Sequence, residues 1–158
     1  MAKIERILVA LDFSEFSERT LEYARDLARD LKAELVVVHV INQRELDAIK
    51  SIQSYPGAPN FEDFLRERMA DRAQRLAEVL KEAGCDDLTC SYDMRSGLPW
   101  EEILRSAEDK CANLIVMGTK GRGNMKNTLF GSHAEKIFRH SKVPVLSVRP
   151  DDHCRIQL

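Results

Sequence analysis

The chain lacks any apolar run long enough to cross a bilayer. Its longest, residues 7–11 and 35–38, fall far short of the roughly 20 residues a spanning helix needs. The segment 1–6 lacks the apolar core of a secretory signal, which points to the cytoplasm. There is no surplus of positive charge. With 24 Lys and Arg against 26 Asp and Glu, the net charge of -2 offers no overall basic field, so nucleic acid is not an expected partner. The four cysteines, at positions 85, 90, 111 and 154, form neither a Cys-x-x-Cys pair nor a zinc spacing, and His153-Cys154 is at most half a metal site. They read as reduced thiols, partly buried as small apolar groups. Internal repeats, low-complexity tracts and interdomain linkers are also missing, which leaves one domain.

What is present is globular: 158 residues, 44% hydrophobic and 32% charged, enough for a single core. Strand and helix patterns alternate along it. Residues 4–11 are a mostly apolar run ending at Asp12. Ser14 or Ser17 can cap the helix that follows, whose stripe is Leu21, Ala24, Ala28 and Leu31. Residues 35–41 form a valine-rich strand. The stretch 42–60, with Pro56, Gly57 and Pro59, reads as a long connection. A long helix then presents Leu65, Met69, Ala73, Leu76, Leu80 and Ala83, and Gly84 ends it at a left-handed position. Residues 88–94 alternate apolar and polar as an edge strand does. Pro99 opens a helix that turns Ile103, Leu104 and Ala107 inward. Residues 113–117 are a strand, a helix begins at Ser132, and 143–148 are the last strand.

Strands that are continuous Val/Ile/Leu runs are buried on both faces, as in a parallel sheet covered by helices. The chain therefore predicts a doubly wound α/β fold, Rossmann-like, with a five-stranded parallel sheet and helices on both faces. If the strand order is 3-2-1-4-5, the winding reverses between the first and fourth strands. Ligands bind at the carboxyl ends flanking such a reversal. Those ends are Asp12 and Gly118.

After Met117 the chain reads Gly118-Thr119-Lys120-Gly121-Arg122-Gly123-Asn124-Met125-Lys126-Asn127-Thr128-Leu129-Phe130-Gly131-Ser132. Glycines let backbone amides approach phosphate oxygens, and a helix N-terminus favours an anion. Residues 111–134 hold Lys120, Arg122 and Lys126 and no carboxylate. A ligand-free explanation also exists, since Ser132 with Glu135 makes a capping box. The loop is neither a Walker A sequence nor the dinucleotide fingerprint.

Gly118, Gly121, Gly131 and Ser132 match G-x-x-G, nine residues, then G-[ST], and here the chain resembles the ATP-binding members of the universal stress protein family. Segments 7–12 with Ser14, His39-Val40, 113–118 and 143–148 resemble that family's strands. The likeness implies a single nucleotide-binding domain over 1–150 with a tail over 151–158. It implies that ATP is held with a nucleotide-bound Mg²⁺. Asp12 would approach the ribose or a metal-bound phosphate. Ala10, Leu11, Val40 and Met117 would surround adenine, and the glycine loop with Lys120, Arg122 and Ser132 would hold the triphosphate. Two residues depart from the family pattern: Phe13, where small residues are common, and His133, where an aliphatic one is frequent. His133 can add a donor to the phosphates or simply cover the helix end.

Other candidates read as structural. His39 suits a rim histidine with a satisfied hydrogen bond, His140 complements a helix dipole, Trp100 packs, and the charges over 62–75 form a solvated face. The expected function is a cytoplasmic ATP-binding stress-response signalling module. The alternatives are a slow Mg²⁺-dependent ATPase or autophosphorylating enzyme, and a partner-binding subunit with a structural nucleotide. A homodimer through the last strand is also expected, with Val143, Val145 and Val148 as its apolar face and Pro144 marking an edge.

Overall fold

The computed structural model describes residues 3–120 and 130–149. Its elements are β1 (Arg6–Ala10), α1 (Ser17–Leu31), β2 (Glu34–Asn42), α2 (Gln43–Ile52), α3 (Phe61–Glu82), β3 (Cys90–Gly97), α4 (Pro99–Asp109), β4 (Leu114–Gly118), α5 (Ser132–His140) and β5 (Val145–Val148). The strands pair in parallel in one sheet of order β3-β2-β1-β4-β5, as expected.

Alternation along the strands divides the core in two. Ile7, Val9, Leu35, Val37, Leu114 and Val116 face Leu21, Ala24 and Ala28 of α1 and Leu76 of α3. Leu8, Val36, Val38, Ile115 and Met117 face Ile103 and Ala107 of α4 and Ala134 and Ile137 of α5. Every strand side chain in these two groups is at most 8% exposed, so the central strands are covered on both faces. Gly84 closes α3 at φ +66, the left-handed value its place after the helix requires.

Several expectations need correction. The connection over 42–60 contains a helix, α2, begun by the Asn42 side chain accepting from Arg44 N and anchored by buried Leu46. Neither Ser14 nor Ser17 caps α1, whose N-cap is Phe16 without a side-chain bond. Both serines serve the preceding turn instead: Asp12 Oδ1 accepts from Ser14 N at 2.9 Å and from Ser17 Oγ at 3.0 Å. Leu31, the last residue of α1, is exposed, and Leu27 packs against the core in its place.

β3 runs from Cys90 to Gly97 rather than stopping at Met94. Its charged residues are accommodated because Arg95 bonds Asp93 and Asp109, each at 2.7 Å, while Ser106 Oγ donates to Asp93 Oδ2. β5 begins at Val145, and period-two alternation splits the proposed valine face. Val143 and Val145 pack toward α4 and α5, whereas Val148 is buried on the α1 side.

Candidate functional site

The carboxyl ends of β1 and β4 lie side by side, with Ala10 registered against Met117. The switch point is therefore where the sequence placed it, and the chain leaves it at Asp12 on one side and Gly118 on the other. Ala10 and Val40 pack against the same cluster as Met117, so these three share the α4/α5 face of the sheet. Leu11 does not join them. It is 3% exposed within the opposite cluster, because neighbouring strand positions point to opposite faces, and only its backbone belongs to the crevice.

That backbone is firmly held. Leu11 N donates to Val38 O at 3.0 Å, and His39 Nδ1 lies 2.8 Å from Leu11 O. A carbonyl only accepts, so the ring carries a proton on Nδ1. His39 is buried, which agrees with a rim histidine whose hydrogen bond is satisfied. Phe13 follows Asp12 at φ +58, a left-handed conformation uncommon outside glycine. Its ring packs 4.5 Å from that of His39, and the Arg75 guanidinium of α3 lies 4.8 Å from its centroid. The aromatic departure from the family pattern thus pins the β1–α1 turn to α3.

On the other side, Thr119 is buried, donates its N–H to Val148 O at 3.0 Å and accepts at its carbonyl from Gly131 N at 2.8 Å. This last bond brings the start of α5 to the end of β4. A Cβ on Gly118 would come within 3.1 Å of Lys120 O and 3.4 Å of Thr20 Oγ1, so a side chain there must displace its neighbours and glycine is favoured by the chain itself. Gly131 has no such constraint, since its Cβ would meet only Thr119 O, at 3.6 Å. Gly121 and Arg122 lie outside the described residues.

The N-cap of α5 is Gly131, with no side-chain cap bond, so the capping box expected between Ser132 and Glu135 does not form. Gly131 takes the cap position because its N–H is tied to Thr119 O. Ser132 becomes the first helical residue, and Glu135 Oε1 accepts from Arg139 instead. The first intrahelical bond runs from Glu135 N to Gly131 O. The N–H groups of Ser132, His133 and Ala134 precede it and have no intrahelical acceptor. They form the positive end of the helix dipole.

His133 Nδ1 is out of water and has no hydrogen-bond partner among the described residues. Burial first, then Lys136 and Arg44, push its imidazole below the ordinary histidine value. An orphaned ring nitrogen at an uncapped helix start, among cations, fits an anion such as a nucleotide phosphate. Among the described residues no group of three or more His, Cys, Asp or Glu could hold a metal ion.

The residues read as structural behave so. Trp100 packs 5.4 Å from His140, with Lys136 Nζ over its ring. Cys85 is buried and Cys90 half-buried, and burial pushes the Cys90 thiol up to about 11, so both stay protonated near neutrality. Cys111 is exposed, contrary to the expectation of burial, and Cys154 lies outside the described residues.

The five-stranded parallel sheet with its switch point between β1 and β4 defines a Rossmann-like α/β protein, and comparison with known proteins names the family. The chain matches the Universal stress protein family over residues 3–149 and belongs to it. It is 31% identical over 154 residues to a universal stress protein of Methanocaldococcus jannaschii, covering 92% of this chain and 94% of that one. To a Thermus aquaticus universal stress protein it is 34% identical over 144 residues, with 90% and 97% covered. The solved structure of the M. jannaschii protein superposes with a TM-score of 0.76 at 28% identity, covering 96% of this chain and 99% of that one. A universal stress protein from Archaeoglobus fulgidus, solved in complex with dAMP, shares the fold at 20% identity and a TM-score of 0.58 over 92% of this chain and 98% of that one. No helix among the described residues is long and apolar enough to cross a membrane.

Proposed function

We propose that this universal stress protein binds ATP, with Mg²⁺ carried on the nucleotide, as a cytoplasmic regulatory domain whose loaded state is read by a protein partner. The observation that carries the reading is the start of α5. Among the described residues, three N–H groups without an intrahelical acceptor and the unpartnered His133 Nδ1 belong to the first turn of α5, which the bond from Gly131 to Thr119 brings to the end of β4. In this reading Ser132, His133, Lys120 and Gly118, with Gly121 and Arg122, hold the triphosphate. Ala10, Val40 and Met117 offer an apolar face for adenine, with the Leu11 backbone beside them. Asp12 approaches the ribose or a metal-bound phosphate. The dAMP held by the A. fulgidus fold relative supports an adenine nucleotide. Calorimetric titration with MgATP and MgGTP tests it. ATP should bind and be preferred; absence of heat with ATP up to millimolar levels refutes the reading.

A homodimer through β5 is part of the proposal. β5 is a sheet edge; the carbonyls of Pro144, just before it, and of Val148 accept from Ile115 N of β4 and from Thr119 N just beyond β4. Alternation turns the backbone groups of Val145 and Ser147 outward, where a second copy can pair with them. Phe138 is 49% exposed and packs edge-to-face on Phe130 at 5.7 Å, adding apolar area on α5.

A further inference from the structure

We infer that His133 is a proton-coupled contact of the polyphosphate site: binding of the nucleotide's phosphates is accompanied by protonation of this imidazole, so that affinity rises as pH falls. The inference rests on the ATP reading and adds its pH regulation.

The geometry begins with α5. His133 is its second residue, among the N–H groups that lack an intrahelical acceptor, and its buried Nδ1 has no partner among the described residues. A buried polar atom left unbonded is destabilising, and an arriving phosphate oxygen can relieve it only if the ring carries a proton there. The charged groups felt at the ring are Lys136 on its own helix and Arg44 on α2. Neither has a carboxylate partner among the described residues, and Glu135, the acidic neighbour, is engaged by Arg139 at 2.9 Å. Arg44 is there because Asn42 starts α2 directly at the end of β2, with its side chain on Arg44 N.

Without an anion, burial and the two cations favour the neutral ring. A phosphate group at the helix start reverses the local field. It offsets Arg44 and Lys136 and favours the imidazolium, which donates to the phosphate oxygen. The proton comes from solvent, and no bond to phosphorus forms or breaks. Linkage fixes the sign: the bound state holds more protons than the free state between the two imidazole pKa values, so binding tightens as pH falls through that interval.

The test is calorimetric titration of the full chain and of His133→Gln with MgATP at pH 6.0 and 7.5. Each is run in two buffers of different ionisation enthalpy to count protons taken up. The titration of ATP itself is common to both proteins and cancels in the comparison. On lowering the pH, the wild-type chain should gain about fivefold more affinity than the variant, within the limit of about tenfold per pH unit for one proton. It should also take up protons that the variant does not. In parallel, inorganic triphosphate added at pH 6.5 should move the His133 ring resonances toward their protonated positions. If both proteins bind ATP with the same pH dependence and proton count, the inference fails and the nucleotide reading stands. If neither binds ATP at either pH, the nucleotide reading fails and takes the inference with it. A general loss of affinity in His133→Gln with an unchanged pH slope marks a structural residue and also overturns the inference.

Discussion

Ser132→Ala separates ligand contact from helix capping, because in this structure the two roles fall on different residues. Gly131 is the N-cap of α5, no side chain caps the helix, and Ser132 is exposed in its first turn. Removing the hydroxyl therefore breaks no bond among the described residues and opens no cavity, so stability should change by less than about 0.5 kcal/mol. A serine acting as an N-cap would instead lose about 1 kcal/mol, or roughly 2–4 °C in Tm for a chain of this size. If the hydroxyl donates to a phosphate oxygen, its loss removes a bond to a charged group, worth about 1.5–3 kcal/mol. That corresponds to about a 10- to 150-fold rise in Kd for ATP. Thermal unfolding without nucleotide and calorimetry with MgATP, on wild type and variant, give the two numbers independently. A variant with lowered Tm and unchanged affinity refutes the reasoning at both points, since it would make Ser132 a cap and not a ligand.

Gly118→Val should destabilise the chain by about 1–3 kcal/mol, because the added Cβ meets Lys120 O at 3.1 Å; denaturant unfolding measures it, and an unchanged midpoint contradicts the close approach. Its effect on ATP binding is therefore a mixed readout, whereas Gly131→Ala, with only a 3.6 Å contact, should leave the fold intact. Ser147→Pro removes an outward N–H of β5 without touching the bonds to β4. Light scattering should show a dimeric wild type and a monomeric variant, and a monomeric wild type at tens of micromolar sinks the dimer. At Asp93, burial raises the carboxyl pKa, but Ser106 and Arg95 outweigh it, leaving the group below its ordinary 3.8. The stabilisation is complete above 3.8 and is lost as pH falls through the folded value, so acid unfolding should flatten below pH 3.8 in Asp93→Asn.

The sheet was legible because burial on both faces leaves a strong trace: the runs around Val9, Val37 and Val116 have no polar interruption, and that pattern fits only central parallel strands. α2 was not, since Pro56, Gly57 and Pro59 dominate the segment and only Leu46 of the helix is buried. Its trace was an N-cap signal, Asn42 with Glu45 in the first turn. Without α2 the sequence could not place Arg44 near His133, so this part of the site was invisible. Leu11 and Val148 were misassigned for one reason. Proximity in sequence was read as a shared face, whereas neighbouring strand residues point apart. Residue type alone made Ser14 or Ser17, and Ser132 in its ligand-free alternative, candidate caps, while the position of the first helical turn depends on which backbone groups are already engaged.

The single bond from Gly131 N to Thr119 O at 2.8 Å has a wider consequence. It closes the base of residues 120–130, so the chain departs from and returns to the sheet at one fixed point. Closure entropy depends only logarithmically on the length enclosed, so inserting or deleting residues between those ends should change folding stability by a fraction of a kcal/mol, about 0.6 even for a doubling. The strand register and the direction of α5 are set outside the enclosed segment. In the ATP reading, the nine-residue spacing between Gly121 and Gly131 is therefore set by the ligand and not by the stability of the scaffold.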